Sequence, residues 1–361
     1  MAATQFVDDK DAFAERLIGS VTAAMDVLGI YLGDRLGYYA ALTQGPATPA
    51  ELAARTKTDA RYTREWLEAQ AASGILRLVN PGATQQDRRY ELTPANAEVL
   101  LDQDSLSYVG PIARLFVGAT SPLQRLLEAY RTGEGISFGD YGLDLREGQS
   151  EINRPVFLQA LPNEWIPAMP DVHARLQQSG ARVADVGCGA AWSAIGIARA
   201  FPGAQVDAFD LDEASVEMAK QNVAEAGLTE RVRVQRRDAG DSDLAGQYDL
   251  VAVLEALHDM AQPVQALRTM RRIVSPTGAV MVVDEHVGDA HVAPADDLER
   301  LMYGWSLLHC LPAGRADTPS VATGTVLRPS MLRELAREAG FREIEPLPVE
   351  AGFFTVYRLH H

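Results

Sequence analysis

Val183-Ala-Asp-Val-Gly-Cys-Gly-Ala-Ala-Trp192 is the stretch on which the fold turns. An apolar run carries Asp185 at its end, and a Gly187-x-Gly189 loop then opens a helical pattern. Glycines at a strand-to-helix turn permit tight backbone geometry and let a ligand approach the main chain closely. A dinucleotide fingerprint would place its third glycine at position 192, which is Trp192. An indole there conflicts with the close helix–strand packing that pyrophosphate cofactors use. A phosphate-cradling loop would need Gly-Lys-Ser/Thr, which this loop lacks. The loop therefore suits a nucleoside ligand without a pyrophosphate. The carboxylate of Asp185 fits the same reading, since it repels phosphates and attracts an amino group.

Outward from this loop, strand and helix patterns alternate to the C-terminus. RVADV, AQVDAFD, RVRVQRRD, YDLVAVLEAL and AVMVVDE read as strands of a parallel sheet with crossover helices between them. One such helix carries Val216, Ala219 and Val223 on one face and stops at Gly227; another begins at Pro263. The second strand ends at Asp210-Leu211, 21 residues past Gly189, where a carboxylate can accept hydrogen bonds from both ribose hydroxyls. The neighbouring Asp212 reads better as a helix cap. The third strand ends at Asp238-Ala239, where an adenine edge would lie beyond the strand termini. After a last helix, REIEPLPV and FFTVYRL are joined by the short Glu350-Ala351-Gly352 link, so an antiparallel hairpin is expected. The expected fold class is α/β: a doubly wound, Rossmann-like sheet ending in an antiparallel hairpin, preceded by a mostly helical domain.

That leading domain, expected over residues 1–104, starts with a long amphipathic helix bearing Phe13, Leu17, Val21 and Leu28. Thr48 caps a short helix, a turn at Thr58-Asp59 leads into a second that stops at Gly74, and two short strands flank Pro81-Gly82. Helix, turn, helix and a two-stranded wing make a winged helix. Residues 105–170 read as a helical connector broken by glycines and prolines, Pro155 among them, and lying over a pocket. The sheet domain is expected over residues 171–361.

The whole chain of 361 residues carries 33 basic and 49 acidic residues, a net charge of −16. Residues 1–110 alone hold ten basic and fifteen acidic residues, which argues against a nucleic-acid-binding winged helix. No run approaches the roughly 18 consecutive apolar residues of a membrane span, so no membrane association is expected. The N-terminus, MAATQFVDDKDAF, lacks the apolar core of a secretory signal. Cys188 and Cys310 are the only cysteines and lie in no zinc-type spacing; no metal site is expected, and a reducing, cytoplasmic setting fits.

With Asp185-Val-Gly-Cys-Gly, Asp210, Asp238 and the closing hairpin after Gly340-Phe341, residues 180–361 resemble a class I S-adenosylmethionine-dependent methyltransferase. Ala190-Ala191 stand where many members place a further glycine. With its winged helix, the whole chain is similar to the small-molecule O-methyltransferases of plant phenolic and bacterial polyketide pathways. The resemblance implies S-adenosylmethionine as cofactor, a small-molecule substrate and a homodimer whose partner chain helps close the substrate pocket. It also implies a winged helix that does not bind DNA. Asp185, Gly187, Gly189, Asp210, Leu211, Asp238, Ala239 and Glu255 are the expected cofactor contacts.

Methyl transfer to a hydroxyl needs a base, and a histidine with a pKa of about 6.5 is suited to that task. His258 lies just past the fourth strand. The similar enzymes carry His-Asp-Trp here, with the histidine as base and the aspartate on the substrate; this chain has His258-Asp259-Met260. An acid after the fifth strand, Asp284 or Glu285, would orient the histidine, and Glu285 is taken with His258 and Asp259 as the expected catalytic set. A second acid that the family places before the last long helix is missing from Thr325-Val326-Leu327-Arg328. That loss leaves nitrogen or carbon acceptors open beside oxygen. Phe157, Leu161 and Trp165 in the connector, and Trp305 and His309 after the fifth strand, are the expected substrate contacts; core packing is the plain alternative for each. A cofactor-sensing transcriptional regulator, and an enzyme using the cofactor's charge for decarboxylation or rearrangement, are the competing function classes.

Overall fold

In the computed structural model, which describes residues 9–361, several helices start at Asp or Thr side chains that cap them, Asp9, Thr48, Asp59, Thr93, Asp212 and Asp296 among them. The first eight residues, part of the stretch read as lacking a secretory signal, lie outside the described residues. The chain forms two units: residues up to Gly118 with Leu143–Pro155, and Ala119–Gly142 with Val156–His361.

In the first unit, α1 spans Lys10–Arg35 and α2 spans Tyr38–Leu42. Next come α3 at Pro49–Thr56, where Thr48 and Glu51 close a reciprocal capping box, and α4 at Ala60–Ala72, capped by Asp59. Strands β1 (Arg77–Leu78) and β2 (Tyr90–Glu91) pair antiparallel as the wing, followed by α5 (Pro94–Leu101) and α6 (Ile112–Thr120). The winged-helix pattern is thus formed. Its core is aromatic: Tyr38, Tyr39, Leu52, Trp66, Leu67 and Tyr90 are buried, and the Tyr38 and Trp66 rings lie 4.6 Å apart. On α4 Arg61 pairs with Glu65 at 2.5 Å, and Arg89, next to β2, pairs with Glu51 of α3 at 2.6 Å.

Helix α1 is the expected long helix, but its apolar stripe is not covered. Phe13 (50% exposed), Leu17 (56%), Val21 (50%) and Met25 (62%) face outward. Among the described residues α1 is also the one helix long and apolar enough, by composition, to cross a membrane. Its other side is fastened to α4, where the Trp66 indole Nε1 donates to Gly29 O at 2.8 Å and Ser73 donates to Asp26.

The second unit contains α7 (Leu123–Thr132), a 3₁₀ turn at Phe138–Tyr141, and the last part of α8 (Gly142–Ala160). Pro155 lies inside α8 rather than ending it, contrary to the expected break. A π turn at Leu161–Trp165 and α9 (Pro170–Leu176) lead into the sheet domain. There β3 (Arg182–Val186), α10 (Trp192–Ala200), β4 (Gln205–Asp210), α11 (Glu213–Glu225), β5 (Val232–Arg236) and β6 (Tyr248–Leu254) follow in order. After them come α12 (Pro263–Ile273), β7 (Val274–Glu285), α13 (Asp297–Trp305), a π turn at Ser306–Cys310, α14 (Leu311–Gly314), α15 (Pro329–Glu338), β8 (Glu343–Pro346) and β9 (Phe354–His360).

The seven strands lie in the order β5-β4-β3-β6-β7-β9-β8. The first five are parallel; β9 runs antiparallel between β7 and β8, as the expected closing hairpin. Alternating side chains of β6 and β7 feed two separate apolar layers. Leu250, Ala252, Met281 and Val283 face one layer, and Val251, Val253, Val280 and Val282 the other. Strands buried on both faces need helices on both sides, which gives the doubly wound α/β architecture.

Candidate active site

Ligands of an open parallel sheet gather where β3 and β4 end, and the glycine loop sits there. Gly187 and Cys188 both donate their backbone N–H to Phe209 O, at 2.8 and 3.0 Å, which folds the loop back over the end of β4. Gly187 has φ +72°, and a Cβ at that position would lie 2.7 Å from the Ala256 Cβ. Gly189 has φ +50° and open space where its Cβ would be, so backbone conformation alone selects glycine there. Asp185 is buried under the loop and accepts a 2.6 Å hydrogen bond from Ser193 Oγ in the first turn of α10. Its Oδ1 has no partner among the described residues. Burial pushes the Asp185 carboxyl up to about 6, and the nearby Asp210 adds to this against the Ser193 hydrogen bond.

Asp210 Oδ2 accepts from Gly189 N at 2.8 Å and its Oδ1 from Asp212 N at 2.9 Å. The loop and the end of β4 are therefore one hydrogen-bonded corner. Burial raises the Asp210 carboxyl, against the backbone donors from Asp212 and Gly189. Asp212 caps α11, accepting from Ser215 N and Oγ, each at 2.8 Å. Leu211 beside it is 51% exposed, an apolar face at the open end of the sheet. Asp238 follows β5 and accepts from Gly240 N at 2.6 Å, with Ala239 half-buried next to it. Glu255 has φ +53° and donates its N–H to Val283 O at 2.8 Å. These residues form one rim at the strand ends. An unpaired carboxylate oxygen, an open space at the glycine turn and carboxylates at successive strand ends fit an amine-bearing, ribose-bearing, cationic ligand.

Beyond β6 the chain turns through Ala256, which touches the glycine loop, into a 3₁₀ turn that carries His258. His258 is buried, and its Nδ1 lies 2.9 Å from Asp284 Oδ1 and 3.1 Å from Glu285 Oε2. Both acids come from the end of β7. Nε2 lies 3.4 Å from Asp259 Oδ1. Burial alone would lower the imidazole, but the charges of Glu285, Asp284 and Asp259 outweigh it and hold His258 well above the usual histidine range. Glu285 is itself raised, because burial and the adjacent Asp284 disfavour its charge more than His258 favours it. The sequence-expected set of His258, Asp259 and Glu285 is thus brought together, and Asp284 joins it.

The expected substrate residues are placed differently. Leu161 and Trp165 are fully enclosed in the core layer that also holds Ile195 and Ala198, and Trp165 meets the Phe354 ring edge-on at 6.1 Å. These two pack the core, and Phe157, 7% exposed, belongs to the same cluster. Trp305 is half-buried at the end of α13. His309 is buried in the following π turn. Its ring meets the edges of Tyr141 at 4.7 Å and Phe138 at 5.5 Å, and its Nδ1 lies 3.5 Å from Cys310 Sγ. Ser193, Ala256 and Cys310 carry weight in this site that no sequence pattern signals. A hydroxyl eight residues past Asp185 is the nearest to a readable hint. At the other, N-terminal ends of β3, β4 and β5, an open cleft of about 430 Å³ beside Arg182 and Asp207 holds an ion pair at 2.9 Å and none of this chemistry.

The same fold recurs among known proteins. Residues 183–278 match the family described as Methyltransferase domain, and residues 23–101 match the Rv2258c-like winged HTH domain. The chain is 32% identical over 148 residues to the ubiquinone biosynthesis O-methyltransferase of Xanthomonas axonopodis pv. citri (strain 306), covering 37% of this chain and 60% of that protein. It is 28% identical over 283 residues to the acetylserotonin O-methyltransferase of Mus musculus molossinus, covering 74% of this chain and 72% of that one. The solved mitomycin 7-O-methyltransferase MmcR shares the fold with a TM-score of 0.70 at 20% identity, over 97% of this chain and 98% of that chain. The chain therefore joins a region that matches the winged HTH family to one that matches the methyltransferase-domain family, in a fold similar to that of solved O-methyltransferases.

Proposed function

We propose that the protein transfers a methyl group from S-adenosylmethionine to a hydroxyl of a small aromatic or polyketide-like molecule, with His258 as general base. The observation that carries this reading is the position of His258. It follows Ala256, which touches the cofactor loop, by two residues, and its Nδ1 is held by Asp284 at 2.9 Å. When bound, the cofactor supplies a methyl group already activated by the sulfonium. The protein's task is then to align the acceptor and take up its proton. Asp210, with Leu211 beside it, would hold the ribose end, and Asp238 with Ala239 the adenine end. Asp185, Gly187, Gly189 and Glu255 would line the amino-acid end. The carboxylates around His258 strengthen it as a base and narrow its neutral, proton-accepting form to higher pH.

The similar O-methyltransferases supply an acid before their last helix, where this chain has Thr325. Here Asp284 and Glu285 both reach the same imidazole nitrogen, so the orienting function is met from one strand end. This arrangement favours oxygen as the acceptor atom. The uncovered stripe of α1 supports a homodimer in which a second copy buries Leu17, Val21 and Met25. The two cysteines are free and buried, in keeping with a reducing cytoplasm. The test is product analysis after incubation with labelled S-adenosylmethionine and a panel of phenolic acceptors. A methoxy product, lost in His258→Ala, is expected; an N-methyl or C-methyl product, or full turnover by the variant, would contradict the reading.

A further inference from the structure

Buried polar atoms normally find partners, so an unpaired one deserves a reason. The second unit holds several such atoms, on segments that touch one another. His309 Nε2, Thr323 Oγ1 and Thr325 Oγ1 are enclosed and without a hydrogen-bond partner among the described residues, and Asp259 Oδ1 has only the His258 Nε2 contact at 3.4 Å. The chain itself draws them together. Val321 N donates to Ala261 O at 2.8 Å, just past Asp259, and a Cβ at Gly324 would meet Ser306 Oγ, in the turn that carries His309. His309 is the cation-capable member of this group. It sits in a π turn, a local widening of a helix found often at functional sites.

From these contacts we propose that His309 is a specificity-determining residue, whose Nε2–H donates a hydrogen bond to a carbonyl-type oxygen on the acceptor molecule while His258 faces the reacting hydroxyl. The proposal rests on the methyl-transfer reading above and names its substrate class: hydroxyl compounds with a carbonyl oxygen on the same or the adjoining ring.

The direction of the hydrogen bond follows from Cys310. Its Sγ is 3.5 Å from His309 Nδ1, and a thiol sulfur is a weak acceptor, which favours S–H as the donor to Nδ1. Burial pushes the Cys310 thiol up to about 12, which keeps that proton in place. A neutral imidazole accepting at Nδ1 must carry its own proton on Nε2. Burial lowers His309, as does the neighbouring His258, and together they outweigh the pull of Asp259, so the ring stays neutral. Phe138 and Tyr141 pack against this imidazole in T-shaped contacts. The same thiol lies in one cluster with the His258 ring and Asp259, with their ligating atoms within 4.8 Å of one another. Cys310 thus lies beside both histidines. A donor buried without a partner rejects molecules that cannot accept from it, typically by orders of magnitude.

The experiment has two arms. Nitrogen-15 NMR of histidine-labelled protein is expected to show His309 as the neutral Nε2–H tautomer at pH 7, and in the S-adenosylhomocysteine complex its signal moves when 1-hydroxyanthraquinone is added. Methylation is then compared for 1-hydroxyanthraquinone and 1-hydroxyanthracene, which differ in the carbonyl groups. The wild type is expected to favour the quinone at least tenfold in kcat/KM, mostly through KM, and His309→Phe to lose that preference. His309→Gln, which keeps a donor, is expected to restore part of it. An Nδ1–H tautomer, no preference in the wild type, or a preference unchanged in His309→Phe would overturn the proposal. Failure of the wild type to bind S-adenosylhomocysteine would instead overturn the underlying methyl-transfer reading.

Discussion

Asp284 Oδ1 stands 2.9 Å from His258 Nδ1, and both side chains are closed off from solvent. A carboxylate in that place fixes the ring orientation and leaves Nε2 as the working nitrogen. His258→Ala is expected to lower kcat by about 10²–10⁴-fold, the usual contribution of a positioned base. Asp284→Asn is expected to keep cofactor affinity and lose at least tenfold in kcat. Steady-state kinetics with calorimetric binding of S-adenosylhomocysteine checks both.

The proton affinity of His258 gives a pH signature. The imidazole is raised above its ordinary value by Glu285, Asp284 and Asp259, so the acid limb of kcat/KM is expected above pH 6.5. Removing Asp284 is expected to move that limb down. For stability the sign is opposite to that of an ordinary carboxylate. A raised histidine stabilises the fold fully below its unfolded value and loses that contribution as pH rises through the folded one. Thermal melts of wild type and His258→Ala between pH 6 and 9 are expected to converge as pH rises.

Gly187 and Gly189 separate two physical requirements. Gly187→Ala meets both the positive φ and the Ala256 Cβ at 2.7 Å; Gly189→Ala meets the φ alone. The second is expected to cost about 1–2 kcal/mol of stability, and the first measurably more. Adding Ala256→Gly to Gly187→Ala should recover the steric part only, which a double-mutant cycle in denaturant would show.

Asp185 is a buried acid with a raised pKa, of about 6 in the fold. Its protonated form is favoured on folding, so its contribution is present below the unfolded value of about 4 and lost as pH rises through 6. Asp185→Asn is expected to stabilise the fold at pH 7.5 by an amount on the order of 2 kcal/mol or less, seen as a higher melting temperature. Melting curves from pH 4 to 7.5 check the flattened profile.

The stripe on α1 predicts an assembly. Leu17→Glu with Met25→Glu is expected to convert a dimer to a monomer in sedimentation velocity, while a substitution at the partly covered opposite side, Asp26→Asn, leaves the dimer intact. A wild type that sediments as a monomer would contradict the homodimer.

Much of this was legible in the sequence, for a physical reason. Strand and helix periods differ, so the alternation from Arg182 to Glu285 predicts the sheet and its connections, and His258 is placed simply by following a strand end. The glycine turn is legible because few residues tolerate positive φ. Phe157, Leu161 and Trp165 are not legible in the same way. An apolar stripe at helical spacing looks identical whether it lines a pocket or fills a core, and here Leu161 and Trp165 fill the core. The two π turns, Leu161–Trp165 and Ser306–Cys310, shift side chains by a fraction of a turn without any sequence mark. The exposure of α1 is a property of the fold's surroundings rather than of its amphipathic pattern.

The central claim is that the corner joining Gly189 to Asp210 grips the adenosyl cofactor. Isothermal titration of S-adenosylhomocysteine into wild-type protein and Asp210→Ala is the direct measurement. One-site binding in the micromolar range, weakened at least tenfold by the substitution in a protein that still melts cooperatively, is the result this account predicts. Equal affinity in both proteins, or binding of NAD in place of the adenosyl ligand, would contradict it.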